Sequence, residues 1–165
     1  SIDQILYNVP GRTAVDMSVD TTSRLSEISN IIGIKDATGD LSVIKELVAK
    51  CPEDFLLLTG DDATAIDFLL LGGHGGISVT ANVTPKELQK AYLAAIAGNA
   101  EVAKKLNEGL SGLHKNLFIE SNPIPVKWAL HKMGKCDSGI RLPLLELSNE
   151  CKTVLENDLK ELNLI

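Results

Sequence analysis

Short apolar runs recur along the first part of the chain and are separated by polar turns. Each run ends at glycine, proline, aspartate or threonine, which is typical of buried strands followed by loops. Helical stripes of apolar residues follow the runs. The pattern predicts four strands, at Gln4–Val9, Ile31–Lys35, Phe55–Thr59 and Gly76–Thr80.

The helices are predicted from apolar spacing and from boundary residues. Asp40 is a cap residue before one apolar stripe, and Thr84–Glu87 is a capping box with proline at the first helical position. The predicted helices are Asp20–Ile28, Asp40 to just before Pro52, Ala63–Leu71, Thr84–Ala97, Ala100–Leu117, Pro125–Met133 and Ser148–Leu162.

Strands that are apolar on both faces and alternate with helices predict an α/β protein with a parallel sheet. An open doubly wound sheet and part of an eight-stranded barrel both fit this order. No G-x-G-x-x-G follows a strand, which disfavours the dinucleotide-binding form of the first. Polar residues gather where the predicted strands end, as in barrel enzymes: Tyr7-Asn8, Lys35-Asp36, Gly60-Asp61-Asp62 and Ser78–Thr80.

A complete barrel needs about 250 residues, so four strand–helix units predict half of a (β/α)8 TIM barrel. We expect residues 1–98 to form this half-barrel and residues 99–165 to form a C-terminal helical extension. The chain starts at Ser1 and enters a strand almost at once, which favours a segment that begins within a longer protein.

Composition narrows the function classes. The net charge is −6, from 16 basic and 22 acidic residues, which does not favour a nucleic-acid partner. No apolar run approaches the roughly 20 residues of a membrane span, and no signal peptide is visible. The three cysteines contain no CxxC pair and show no metal-ligand spacing with the histidines, which favours a reducing cytoplasm and no metal site.

Three polar side chains are candidates for chemistry. Lys35 follows the apolar run Ile31–Ile34, where a partly dry setting favours a neutral, nucleophilic amine that forms a Schiff base with a carbonyl. Tyr7 ends the preceding strand and could relay protons, and Arg12 could hold a carboxylate. The alternatives are a lysine that reaches solvent, a tyrosine bonded locally and a solvated loop arginine.

Longer motifs identify a family. The ordered segments YNVPGRT, GIKDATGD, LLTGDDATAIDFLLLGGHGGISVTANV and NPIPVKWAL closely resemble the dihydrodipicolinate synthase family. The resemblance covers nearly the whole chain. That family belongs to the pyruvate-dependent class I aldolases and lyases, whose members are (β/α)8 barrels, and the segments correspond to strands 5–8 of the barrel and to the helices after them.

The resemblance implies roles for individual residues. Lys35 would form the Schiff base with pyruvate, Tyr7 would belong to the proton relay, and Arg12 would bind the carboxylate of L-aspartate 4-semialdehyde. Gly60 and Ile77 would line the pyruvate pocket. The implied reaction condenses the two substrates in lysine (diaminopimelate) biosynthesis, with pyruvate bound covalently and with no metal or organic cofactor. The implied assembly is a homo-oligomer, a tetramer in the family.

The resemblance also implies what the chain lacks. The family has four strand–helix units before the tyrosine strand, including a threonine pair that continues the proton relay. We therefore expect the segment alone to be inactive and to need the N-terminal half of the barrel as a partner. The alternatives are another pyruvate-dependent aldolase, similar to N-acetylneuraminate lyase or a sugar-acid aldolase, and a non-catalytic half-barrel; Arg12 favours the synthase over the aldolases.

Overall fold

The computed structural model describes residues 2–165, and its sheet has four parallel strands in sequence order. Tyr7 lies opposite Lys35, and Asn8 lies opposite Asp36. Neighbouring strands of the described sheet are consecutive in the chain and no switch point occurs, as expected for a segment of a barrel. The strands are β1 (Gln4–Asn8), β2 (Ile31–Asp36), β3 (Leu56–Thr59) and β4 (Gly75–Gly76).

Helices connect the strands and also follow β4. They are α1 (Pro10–Thr13), α2 (Val19–Leu25), α3 (Leu41–Lys50), α4 (Ala65–Leu70), α5 (Pro85–Ile96), α6 (Ala100–Glu108), α7 (Ser111–Asn116), α8 (Ile124–Lys132) and α9 (Asn149–Glu161). Within residues 2–165, no helix is long and apolar enough to cross a membrane.

Two of the helices each begin at a residue whose side-chain oxygen caps the first turn. Asp40 Oδ1 accepts a hydrogen bond from the Ser42 amide at the start of α3, and Ser148 Oγ accepts one from the Cys151 amide at the start of α9. The sequence predicted a helix start at both residues. Helix α2 begins at Val19, one residue before the predicted start at Asp20, and Ser18 caps it.

The predicted fourth strand, Gly76–Thr80, is wrong beyond its first residue. Gly76 pairs with β3 together with Gly75, and a short 3-10 helix begins at Thr80. The amide of Ile77 donates the last of the bonds to β3, at the Thr59 carbonyl (2.9 Å). The parallel pairing of β4 with β3 therefore ends where β3 itself ends, at Thr59.

The predicted helix Ala100–Leu117 is also wrong as a single element. It is divided into α6, which ends at Glu108, and α7, which begins at Ser111. Gly109 lies in the break, and glycine is a poor helix former because its backbone loses the most freedom on ordering. Leu110, which follows it, is buried.

The chain forms two compact units. The sheet unit contains the described residues up to Ser78 together with Lys90–Lys104, and the helical unit contains Val79–Gln89 and Lys105–Ile165. Helices α3 and α4 cover one face of the sheet in the first unit. The core there is Ile34, Ile44, Leu47, Phe55, Leu57 and Phe68, and the core of the helical unit includes Leu113, Leu117, Val126, Ala129, Leu155 and Leu159.

The Asp40 cap gives a pH-dependent prediction. Hydrogen bonds from the Ser42 hydroxyl and then the Ser42 amide lower the pKa of Asp40 from 3.8. A lowered folded pKa means that the stabilisation is present above the ordinary pKa and is lost as the pH falls through the folded value. We expect Asp40→Ala to lower the free energy of unfolding at neutral pH but not in strong acid, measured by urea unfolding.

Asp40→Asn is the matched control for that prediction. Asparagine caps a helix about as well as aspartate and does not titrate. Its stability should therefore stay close to that of the parent at neutral pH. If Asp40→Ala lowered the free energy of unfolding by the same amount in strong acid as at neutral pH, the ionised carboxylate would be excluded as the stabilising group.

Candidate functional site

Tyr7 and Lys35 form a side-chain pair at the ends of β1 and β2. Lys35 Nζ lies 4.1 Å from the centroid of the Tyr7 ring. The two residues are directly opposite each other in the parallel register, so their side chains leave the same face of the sheet. A cation over an aromatic face is attracted by the ring quadrupole. The structure therefore brings together two of the residues that the sequence identified.

Gly60 lies beside the stem of this lysine. It follows β3 directly, and a Cβ atom added to it would lie 2.6 Å from Lys35 Cε and 3.0 Å from Ala37 Cβ. Its amide donates to the Asp36 carbonyl (2.6 Å), which keeps the backbone close to β2. The lysine side chain thus occupies space that only glycine leaves open at this position.

Ile77 and Arg12 follow the two outer strands of the described sheet. Ile77 comes directly after β4, is half exposed and is tied to Thr59 through its amide. Arg12 belongs to the short helix α1, which the sequence did not predict and which begins with Pro10 at a position that tolerates proline. Its side chain is exposed, and within residues 2–165 it makes no ion pair. The roles of both residues stay predictions.

A buried polar cluster lies on the opposite face of the same two strands. Asn8 and Asp36 are 3% and 4% exposed, and Asn8 Nδ2 donates to Asp36 Oδ2 (3.0 Å) and to Asp16 Oδ1 (2.8 Å). Asp36 Oδ1 accepts bonds from the amide and the hydroxyl of Thr38. The amide of Met17 donates to Asn8 Oδ1 (3.1 Å). The sequence indicated Asn8 and Asp36 only as polar residues at strand ends.

Asp61 and Tyr92 also lie near the strand ends. Asp61 Oδ2 accepts bonds from the amide (3.0 Å) and hydroxyl (2.8 Å) of Thr64, so it stabilises the turn into α4. The ring of Tyr92 packs on Gly76, where an added Cβ would lie 2.8 Å from the phenol oxygen. Burial, and then the neighbouring carboxylate of Asp62, raise the pKa of Tyr92 above its ordinary value.

The described residues offer no metal centre. Among residues 2–165, no three histidine, cysteine, aspartate or glutamate side chains are grouped so that they could hold a metal ion. The cysteines Cys51, Cys136 and Cys151 are free thiols.

Comparison with known proteins gives a consistent set of relatives. Residues 1–162 match the model of the dihydrodipicolinate synthetase family. The chain is 62% identical over 164 residues to the 4-hydroxy-tetrahydrodipicolinate synthase of Ruthia magnifica subsp. Calyptogena magnifica, covering 99% of this chain and 55% of that protein. It thus spans about half the length of the curated relatives that it matches.

Solved structures of the same family are also similar to this chain over about half of their length. The structure is similar to the chloride-inhibited dihydrodipicolinate synthase from Acinetobacter baumannii complexed with pyruvate, with a TM-score of 0.96 and 52% identity, covering 99% of this chain and 56% of that one. A monomeric dihydrodipicolinate synthase variant gives a TM-score of 0.94 at 38% identity, covering 98% and 55%. The predicted fold, half of the family's TIM barrel with C-terminal helices, is confirmed.

Proposed function

The chain belongs to the dihydrodipicolinate synthetase family, and on that premise we propose that it carries the imine-forming part of a 4-hydroxy-tetrahydrodipicolinate synthase. The substrates are pyruvate and L-aspartate 4-semialdehyde, and the pathway is lysine (diaminopimelate) biosynthesis. One observation carries the proposal: Lys35 Nζ lies over the Tyr7 ring at the C-terminal ends of adjacent parallel strands, where barrel enzymes hold their reacting groups.

The lysine supplies the nucleophile. The neutral Lys35 amine attacks the C2 carbonyl of pyruvate to give a carbinolamine, which loses water and becomes an imine. Tyr7 transfers the proton that the departing hydroxyl group needs. Loss of a proton from the pyruvate methyl group gives an enamine, whose carbon attacks the aldehyde of the second substrate. Cyclisation through the amine of that substrate then releases Lys35, so no metal or organic cofactor takes part.

The other three residues bind substrate in this proposal. Gly60 and Ile77 contribute backbone at the ends of neighbouring strands. Gly60 leaves room for the stem of Lys35, and Ile77, which follows the next strand in the chain, is half exposed where a small keto acid can approach. Arg12 is an exposed cation on the loop that follows the tyrosine strand. Its planar guanidinium suits the carboxylate of the semialdehyde, because it donates two parallel hydrogen bonds to one carboxylate.

The proposed partner is the rest of the barrel. The two outer strands of the described sheet, β1 and β4, each pair with one neighbour only, and the faces around Ile5, Tyr7 and Ile77 are exposed. Open strand edges and exposed apolar side chains favour association. We propose that a segment equivalent to the N-terminal part of the relatives covers them, that the complete enzyme is a cytoplasmic homo-oligomer, and that the 165 residues alone are inactive.

The proposed function is tested by reassembly. The chain is mixed with the segment of the R. magnifica relative that precedes the matched residues, and we call the product the reassembled synthase. We expect condensation of pyruvate with the semialdehyde by the mixture and by neither part alone. Cleavage of N-acetylneuraminate or a 2-keto-3-deoxy sugar acid would instead assign an aldolase. A well-folded complex without any of these activities would contradict the proposal.

The relay role of Tyr7 gives a further prediction. Tyr7→Phe keeps the ring under Lys35 and removes only the phenolic proton, and since Tyr7 is half exposed we expect little change in stability. The condensation rate of the reassembled synthase should fall about a hundredfold, in the range of general acid–base contributions. An unchanged rate would place the proton transfer on another group.

A further inference from the structure

A hydrogen-bonded asparagine and aspartate lie directly behind the lysine–tyrosine pair. Successive residues of a strand point to opposite faces of the sheet. Asn8 and Asp36 immediately follow Tyr7 and Lys35 and are opposite each other in the same register. The bond from Asn8 Nδ2 to Asp36 Oδ2 therefore joins β1 and β2 one residue beyond the reacting pair, on the helix-covered face.

The Asn8 amide group is fully used in this cluster. Its two Nδ2 protons go to Asp16 and Asp36, and its carbonyl oxygen accepts the bond from the Met17 amide. It is a neutral donor between two carboxylates. Because both Asn8 and Asp36 are almost completely buried, an unsatisfied group there would carry the full cost of its desolvation.

Backbone bonds connect the cluster to the lysine pocket. The Ala37 amide donates to the Asn8 carbonyl (2.9 Å), and the Gly60 amide donates to the Asp36 carbonyl (2.6 Å). Three strand ends are thereby held at one level, and Lys35 emerges from the middle one. A change in the spacing of β1 and β2 at Asn8 and Asp36 would move Tyr7 and Lys35 relative to each other, because each pair shares one register.

We propose that Asn8 and Asp36 are positioning residues, which hold the Lys35 amine against the Tyr7 ring from the opposite face of the sheet. The catalytic role of this positioning rests on the proposed function, whereas the positioning itself can be tested without it. Asn8 acts by polarity as well as by shape. Replacing its amide with a carboxylate turns a donor between two acceptors into three mutually repelling acceptors.

The polarity can be inverted as a test. In Asn8→Asp, the new carboxylate faces Asp16 and Asp36 without a proton to share. In the triple variant N8D/D16N/D36N, the central carboxylate accepts from two flanking amides, so the bonds between side chains are restored in the opposite direction. Asn30→Ala is the matched control, because Asn30 Nδ2 bonds the Ile2 carbonyl at the other end of the same two strands (3.2 Å).

The first measurement is the NMR resonance of the Lys35 ε-methylene group in the full chain with ¹³C-labelled lysine, assigned with Lys35→Arg. Because Nζ lies over the ring, we expect the Tyr7 ring current to shift this resonance upfield. We expect the shift to be lost in Asn8→Asp, retained in Asn30→Ala and recovered in the triple variant. Circular dichroism confirms the fold of each, and the milder Asn8→Ser replaces Asn8→Asp if that variant does not fold.

Two results would overturn the proposal. One is an upfield shift that persists in folded Asn8→Asp and Asn8→Ser, because the pair then holds its geometry without the amide. The other is an equally large loss of the upfield shift in Asn30→Ala, because the shift would then depend on the stability of the two strands in general and not on Asn8. A parent chain without the upfield shift would also reject the geometry on which the proposal stands.

The second measurement separates positioning from folding in the reassembled synthase. Imine formation is followed by borohydride trapping over a range of pyruvate concentrations. We expect the rate constant at saturating pyruvate to fall about tenfold to a hundredfold in Asn8→Ser, as for misplaced reacting groups, with half-saturation little changed. A purely structural role would lower only the amplitude. Absence of trapping in the parent would reject the proposed function, while the NMR result would still decide the positioning.

Discussion

Lys35→Arg is expected to abolish imine formation with pyruvate and to leave the fold intact. Arginine keeps a cation over the Tyr7 ring, where Lys35 Nζ lies 4.1 Å from the centroid. Its guanidinium stays protonated and has no lone pair available for attack on a carbonyl. We therefore expect the condensation rate of the reassembled synthase to fall by at least about a thousandfold, as for the loss of a covalent nucleophile.

Lys45→Arg is the matched control for this substitution. Lys45 lies on α3 in the same compact unit and is exposed. Its replacement by arginine is the same chemical change as Lys35→Arg, at a position away from the site. Its condensation rate should equal that of the parent, and urea unfolding should show similar stability for both variants. Substantial condensation by a folded Lys35→Arg variant would place the nucleophile on another residue.

Gly60→Ala is expected to displace the reacting lysine without removing it. The added methyl group would lie 2.6 Å from Lys35 Cε, closer than Cβ atoms approach other atoms in folded proteins, and 3.0 Å from Ala37 Cβ, which is a tight contact. The flexible lysine stem can move, whereas the Ala37 side chain is fixed to the backbone. We expect Lys35 to leave its position over the Tyr7 ring, and the rate of trapping by borohydride to fall about a hundredfold.

Gly139→Ala serves as the control for Gly60→Ala. An added Cβ at Gly139 meets nothing within 4 Å, and its φ is not in the left-handed region. We expect this variant to trap pyruvate at the parental rate. A Gly60→Ala variant that is folded and traps pyruvate normally would show that the observed lysine position is not the one required for attack.

Local patterns predicted the elements whose boundaries depend on nearby residues. The first strand, predicted at Gln4–Val9 and observed at Gln4–Asn8, and the helix starts at Asp40 and Ser148 follow from apolar runs and from single polar residues beside them. The fourth strand was predicted too long because its end depends on where β3 stops, and no local signal records that. The break near Gly109 was missed because apolar spacing continued across it.

The candidate site was predicted in part for the same reason. The apolar run before Lys35 and the position of Tyr7 indicated two polar groups at strand ends, and the parallel register then brought them together. The Asn8–Asp36 bond joins residues 28 positions apart on the opposite face, so periodicity alone could not assign it. The helix around Arg12 is a single turn of four residues, too short to give a periodic pattern.

Peptide mapping after the reassembled synthase has been incubated with pyruvate and borohydride tests directly whether Lys35 is the residue that forms the imine. We expect one adduct per chain, which adds the mass of pyruvic acid less one oxygen atom, on the peptide that contains Lys35. An adduct on a different lysine, or a folded and reassembled protein that forms none, would contradict it.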